Sequence, residues 1–248
     1  MEDFKQILTE YSYIRQEEVV FGECDRSEKI RMAGLLGKIA CFGGYDYDAR
    51  GITREVLMEM GYAFLLSRAA LHIHSWPKYG DILTVQTWEN GAKGAHMQRV
   101  FEMKDQNDRL CISARSDWVL VDPVSHKIAR PRSFTHDEFI PCPQEIDCPA
   151  PKKILLPKEG LEELGTRKVA WSDLDGNGHL YSGRYGDIIW DFLPEDLQDR
   201  EPKEFYINYN REATLGDTLQ LYGFREEGSY RLEGIGPHGT CFTAQCVF

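Results

Sequence analysis

The sequence predicts a duplicated α+β unit, in which a helix followed by antiparallel strands occurs twice. Three observations carry this prediction. The chain has 248 residues, 42% hydrophobic and 28% charged, enough to build a core in one large domain or two ordinary ones. In each half a helix-period stripe precedes several runs of strand-like alternation. The halves also echo each other: Gly80-Asp-Ile-Leu-Thr-Val-Gln matches Gly216-Asp-Thr-Leu-Gln-Leu-Tyr, and Cys111-Ile-Ser-Ala matches Cys241-Phe-Thr-Ala.

In the first half, Met32, Leu35, Leu36, Ile39 and Phe42 recur every three or four residues, which predicts an amphipathic helix. Strands are then expected over 68–74, 82–89, 97–104 and 110–121. Five of the eleven prolines fall in 137–165, where neither a helix nor a central strand could continue. This segment reads as a linker between repeats at 1–136 and 166–248. In the second half, Tyr181, Tyr185, Ile188 and Phe192 predict another helix, followed by strands over 203–210, 217–225, 229–235 and 240–247. Gly183 and Gly186 inside that helix each cost roughly 1 kcal/mol against Ala. Close approach to a sheet is the expected compensation. Two such sheets joined edge to edge would also cover exposed strand edges.

Composition excludes several classes. No apolar run approaches the ~18 residues of a membrane span. The opening Met-Glu-Asp-Phe-Lys-Gln has neither a signal-peptide pattern nor the basic character of a transit peptide. Seven cysteines without a CxxC pair suggest reduced thiols and a cytoplasmic setting, and Cys142 and Cys148 in the linker read as inert. A net charge of −11 argues against nucleic acid as a partner.

The most chemical segment is Trp171-Ser-Asp-Leu-Asp-Gly-Asn-Gly-His179. Alternation along an extended loop would point Asp175, Asn177 and His179 to one side, beside the free N–H groups of a helix start that can polarise a carbonyl. A calcium loop is the rival, since Asp173, Asp175, Asn177 and Gly178 match its opening. Its twelfth position must be a bidentate Glu, and here it is Arg184, which rules the motif out. A turn built by Asp and Asn for structural reasons is the other reading. His72 and His74 alternate on a strand as metal ligands can, but no third ligand has recognisable spacing, so neither metal nor cofactor is expected.

Together with Ser75-Trp-Pro-Lys-Tyr-Gly-Asp-Ile-Leu-Thr-Val-Gln-Thr-Trp88, Ser116-Asp-Trp-Val-Leu-Val-Asp122 and Tyr209-Asn-Arg-Glu212, this segment resembles the acyl-ACP thioesterase family. The resemblance spans nearly the whole chain. It implies a tandem hot-dog fold, and it implies Asp175, Asn177, His179 and Glu212 as the catalytic set. A cysteine follows the glutamate in plant members. Here that residue is Ala213, so a thiol mechanism is unavailable at this position; the lack of a transit-peptide pattern and the variant loop Leu180-Tyr181-Ser182 point to a bacterial member. The resemblance further implies that the first repeat, whose corresponding stretch Glu23–Arg31 lacks the motif, holds the acyl chain. Met32, Leu35, Leu36 and Ile39 are candidate lining residues, with simple core packing as the alternative.

The implied reaction is hydrolysis of a fatty acyl-ACP thioester, ending chain elongation. A thiol pKa near ~8.5 makes the leaving step undemanding. Glu212 could act as general base for water, or Asp175 could attack directly. The implied partner, acyl carrier protein, is acidic, so docking needs a local basic patch. Lys127, Arg130 and Arg132 are the densest candidates, with Lys152 and Lys153 nearby. An acyl-CoA thioesterase of the same fold and a non-catalytic acyl-binding module are the alternatives. A homodimer is also an open expectation.

Overall fold

The computed structural model describes residues 4–125, 127–131, 134, 142 and 144–248. Residues Gln6–Leu8 (β1) and Tyr13–Glu18 (β2) pair at one end of the sheet. Helix α1 (Met32–Ala49) and the short α2 (Arg54–Glu59) precede β3 (Ala63–Ile73), β4 (Ile82–Lys93), β5 (His96–Lys104) and β6 (Leu110–Val121). The second unit has β7 (Glu162–Lys168), α3 (Arg184–Asp191), α4 (Glu195–Gln198), β8 (Glu204–Tyr209), β9 (Thr218–Glu226), β10 (Ser229–Gly236) and β11 (Gly239–Val247). All eight expected strands are present, within a few residues at their ends. The expectations missed β1, β2, α2, β7 and α4, and β7 begins inside the proline-rich segment.

The strands form one antiparallel sheet in the order β1-β2-β4-β5-β6-β3-β8-β11-β10-β9-β7. The two units meet where β3 pairs with β8, from Arg68 opposite Asn208 to His72 opposite Glu204. This is the expected edge-to-edge junction, and it leaves the sheet ending in the three-residue strand β1 and the largely polar β7. The architecture is α+β, a tandem hot-dog fold. Alternation puts Leu83 and Val85 of β4, Phe101 and Met103 of β5, and Leu219 and Leu221 of β9 into one core, where they meet Leu35, Leu36 and Ile39 of α1 and Ile188 and Ile189 of α3. That core is continuous across both repeats.

The compensation for the helix glycines differs from expectation. A Cβ on Gly186 would sit 2.5 Å from the Ala33 backbone nitrogen, and one on Gly183 would sit 3.1 Å from the Ala33 carbonyl oxygen. The glycines let α3 approach the first turn of α1, a helix rather than a sheet. Tyr181 precedes α3, and its ring lies against Gly183.

Candidate active site

A short 3-10 turn, Trp171–Asp173, leads into the motif. Asp173 is buried and spoken for: it takes two hydrogen bonds from Arg167 and accepts the Ala170 N–H at 2.8 Å. The next residues form a tight turn rather than an extended run. Asp175 Oδ1 accepts the backbone N–H of Asn177 at 2.8 Å and of His179 at 3.2 Å, while its own N–H donates to the His179 carbonyl at 2.8 Å. Gly178 sits at φ +82°, where any other residue would be strained. Asp175 is therefore turned into its own loop, unlike the one-sided trio that alternation suggested.

The loop carrying Glu212 is stitched to this turn. Leu180 N–H donates to the Ala213 carbonyl at 2.7 Å, and His179 bridges Thr214. Asp217 accepts the Thr214 N–H at 2.8 Å and fixes the turn through Gly216, at φ +87°. These bonds bring Glu212 Oε2 to 3.2 Å from His179 Nε2, with side chains 41% and 27% exposed. Asn177, His179 and Glu212 all line a cavity of about 610 Å³; Asp175 is not among its lining residues. The amide of Asn177 is held from the other repeat, because Arg54, at the start of α2, donates to its Oδ1 at 2.8 Å. Arg54 was missed in the sequence: nothing local to α2 marks a residue whose partner lies 123 positions away.

The first repeat holds a second copy of this loop. Asp25 Oδ1 accepts the N–H of Ser27 at 2.7 Å and of Lys29 at 3.1 Å, and Asp25 N–H donates to the Lys29 carbonyl at 2.8 Å. Glu28 takes the positive φ, +60°, that Gly178 takes in the other repeat. Ile30 donates to Pro77 as Leu180 does to Ala213, and Lys29 bridges Lys78 as His179 bridges Thr214. Aligned this way, Asp25 stands for Asp175, Ser27 for Asn177, Lys29 for His179 and Trp76 for Glu212. The aspartate and its hydrogen bonds are common to both loops. The three residues that differ are those facing the cavity.

The cavity lies mostly in the first repeat, with apolar walls from Ile52, Leu57, Phe64, Met97 and Trp118. Its helical side is Ala40, Gly43, Gly44 and Tyr47, toward the C-terminal end of α1. The four residues expected to line it, Met32, Leu35, Leu36 and Ile39, are at most 2% exposed in the main core, and none lines this cavity. The reason is steric. A continuous apolar stripe packs against the sheet and closes its own space, whereas Ala and Gly on the helix leave room. One polar corner breaks the apolar wall: buried Arg99 bonds Asp46 at 2.7 Å, and Glu89 is bonded by Tyr47. Burial raises the Glu89 carboxyl above its ordinary value, with nearby Arg99 opposing the shift.

No residue of the first turn of α3 lines the cavity, so the helix start expected beside the motif does not face it. Tyr209, on the strand before Glu212, is partly buried, and desolvation drives its hydroxyl well above the usual range. It stays protonated and donates to the Ser182 carbonyl at 3.1 Å, holding the residues after the turn. No cysteine lines the cavity, and burial pushes the Cys148 thiol up to about 12. Lys127 and Arg130 are exposed on the segment after β6; Val121, which ends β6, and Pro123 belong to the cavity wall, and Arg132 lies outside the described residues.

The sequence matches the profile of the acyl-ACP thioesterase N-terminal domain over residues 10–137 and that of the C-terminal domain over 160–233. Oleoyl-acyl carrier protein thioesterase 2 of Arabidopsis thaliana is 23% identical over 226 residues, covering 83% of this chain and 59% of that one. The chain thus spans under two thirds of the length of this curated relative. Among solved structures, an acyl-ACP thioesterase from Bacteroides thetaiotaomicron superposes with a TM-score of 0.84 at 24% identity, covering 97% of this chain and all of that one. The 12:0-ACP thioesterase of Umbellularia californica superposes with a TM-score of 0.75 at 16% identity, over 95% and 96% of the two chains.

Proposed function

Because the chain belongs to the acyl-ACP thioesterase family, we propose that it hydrolyses the thioester of a fatty acyl group carried on acyl carrier protein. The observation that carries this reading is the Glu212–His179 pair, 3.2 Å apart, at the polar end of a cavity with otherwise mostly apolar walls. The acyl chain lies in the cavity, and the thioester carbonyl sits at Asn177. With Oδ1 of Asn177 engaged by Arg54, its two amide N–H bonds are free to polarise that carbonyl. Glu212 and His179 together take a proton from water as it attacks the carbonyl carbon, and the C–S bond then breaks to release a thiolate. Asp175 has a different task. Its twin Asp25 makes the same bonds where no catalytic partners exist, so Asp175 holds the turn that presents Asn177 and His179. The twin loop supports Glu212, rather than direct attack by Asp175, as the group that activates water.

Products are the free fatty acid and the carrier thiol, which removes the chain from elongation. We place this chemistry in a bacterial cytoplasm, a reading supported by seven free thiols. The exposed Lys127 and Arg130 beside the cavity wall are the proposed docking contacts for the acidic carrier. The test is thiol release from matched acyl-ACP and acyl-CoA substrates of several chain lengths. Higher kcat/KM on acyl-ACP supports the proposal. Preference for acyl-CoA would move the assignment to a CoA thioesterase, and no thiol release from either would leave an acyl-binding module.

A further inference from the structure

The histidine pair that lacked a third ligand in the sequence acquires one in the fold. His72, near the end of β3, and His74, just past it, lie on the outer face with ring centroids 4.2 Å apart. The linker crosses this face and places Asp147 beside them. His72 Nδ1 is 3.2 Å from the Asp147 carbonyl oxygen and 3.7 Å from its carboxylate Oδ2. One ligand atom from each of His72, His74 and Asp147 lies within 4.8 Å of the others. We propose that these three residues bind one divalent transition-metal ion of the zinc class, fastening the linker to the strand where the two repeats join.

The chemistry of the donors selects the ion. Two imidazoles and a carboxylate suit zinc, nickel or copper, whereas calcium and magnesium ask for oxygen ligands. Bonds of about 2.0–2.1 Å in a tetrahedral site separate neighbouring ligands by roughly 3.3 Å, so only a small inward movement of the rings is needed. The movement is permitted, since His74 and Asp147 are exposed and His72 is partly so. In the metal-free chain, the proton on His72 Nδ1 satisfies the bond to the Asp147 carbonyl. Binding at Nδ1 displaces it to Nε2, with no net change in charge on the ring. Ser113 is fully buried on the neighbouring strand β6, and its hydroxyl lies 3.0 Å from His74 Nε2. A hydrogen bond of this kind fixes the orientation of a ligating imidazole. The remaining coordination position is left to water.

The linker is already held to the same outer face by other bonds, which makes the clasp an addition to an existing seam. Gln144 donates to Glu102 at 2.7 Å, Arg115 donates to the Ile146 carbonyl, and Asn208 accepts the Ile154 N–H at 2.9 Å. The metal would therefore stabilise a contact that forms without it. The site lies apart from the thioester cavity, and none of its three residues lines that cavity.

The full-length, untagged protein is stripped with chelator and titrated with ZnCl2 by calorimetry, with MgCl2 and CaCl2 as controls. The expected result is one saturable zinc equivalent and no binding of the other two ions. At a hundredfold excess over Kd, the melting temperature should rise by about 5 °C or more. His74→Gln and His72→Gln should each weaken zinc by roughly tenfold or more. Asp147→Asn, on the exposed linker, should do the same without disturbing the fold, and circular dichroism checks that all three variants are folded. Cobalt substitution should give the strong visible absorption of a four-coordinate N/O site in the wild type and lose it in the variants. Absence of a saturable zinc equivalent overturns the proposal. So does zinc affinity that survives either histidine substitution or Asp147→Asn in a folded protein.

Discussion

At the scale of single residues, the two copies of the Asp-turn act as an internal control. Asp25 and Asp175 each accept two backbone N–H bonds from the same relative positions, although only one stands beside a His–Glu pair. The proposed role of a carboxylate occupied in this way is to position its turn. Asp175→Asn keeps the acceptor oxygen and should retain kcat within about tenfold of wild type, with the lost charge weakening the two bonds by ~1 kcal/mol. Asp175→Ala removes the acceptor and should lower both kcat and melting temperature. Steady-state kinetics and thermal unfolding of the pair distinguish this from nucleophilic attack, which Asp175→Asn would abolish. Arg54 acts through Asn177. Arg54→Met should lower kcat by roughly fivefold with little change in KM for a short acyl chain, matching the ~1 kcal/mol of one exposed hydrogen bond. An unaltered kcat would show that Asn177 needs no such anchor.

At the scale of elements, what could be read in the sequence follows how strongly each segment is buried. The central strands declare themselves because every second residue faces a core, as Leu83, Val85 and Thr87 do along β4. Edge strands carry no such demand. In β7, Glu162, Glu163 and Lys168 are exposed, so Glu-Glu-Leu-Gly-Thr-Arg-Lys shows no apolar alternation and the adjacent prolines dominate the reading. α2 is six residues long, too short for a helical period to register. The candidate motif was legible because Asp175, Asn177 and His179 fall within one short segment, although Glu212 lies 33 residues further on. Its true shape was not, because an aspartate that caps its own turn looks the same in sequence as one aimed at substrate. The glycines of α3 were legible as a cost but not as a contact. Gly186→Ala would push a methyl group into the Ala33 backbone. Strain of about 1–3 kcal/mol should outweigh the ~1 kcal/mol gain in helix propensity, lowering the melting temperature by several degrees. Gly44→Ala in α1, with nothing within 4 Å, should instead hold or raise it. Differential scanning calorimetry on the two variants reads the contrast directly.

At the scale of the whole molecule, the fold divides its labour. The first repeat supplies most of the apolar cavity and the Arg54 anchor, and the second supplies Asn177, His179 and Glu212. That division could not be read from periodicity, which marks stripes that become core and overlooks the small residues that leave a hollow. With a net charge of −11, the molecule would repel the proposed acidic carrier except where cations gather. Reversing Lys127 and Arg130 to Glu should raise KM several-fold for acyl-ACP at low salt, leave acyl-CoA unchanged and flatten the salt dependence. Equal effects on both substrates would move the docking surface elsewhere. The most direct test of the central claim compares Glu212→Gln with Asp175→Asn by single-turnover thiol release from acyl-ACP, both variants confirmed as folded. The account predicts that Glu212→Gln falls by roughly 10²-fold or more while Asp175→Asn stays within about tenfold of wild type. Near-wild-type turnover by Glu212→Gln, or a complete loss confined to Asp175→Asn, would contradict it.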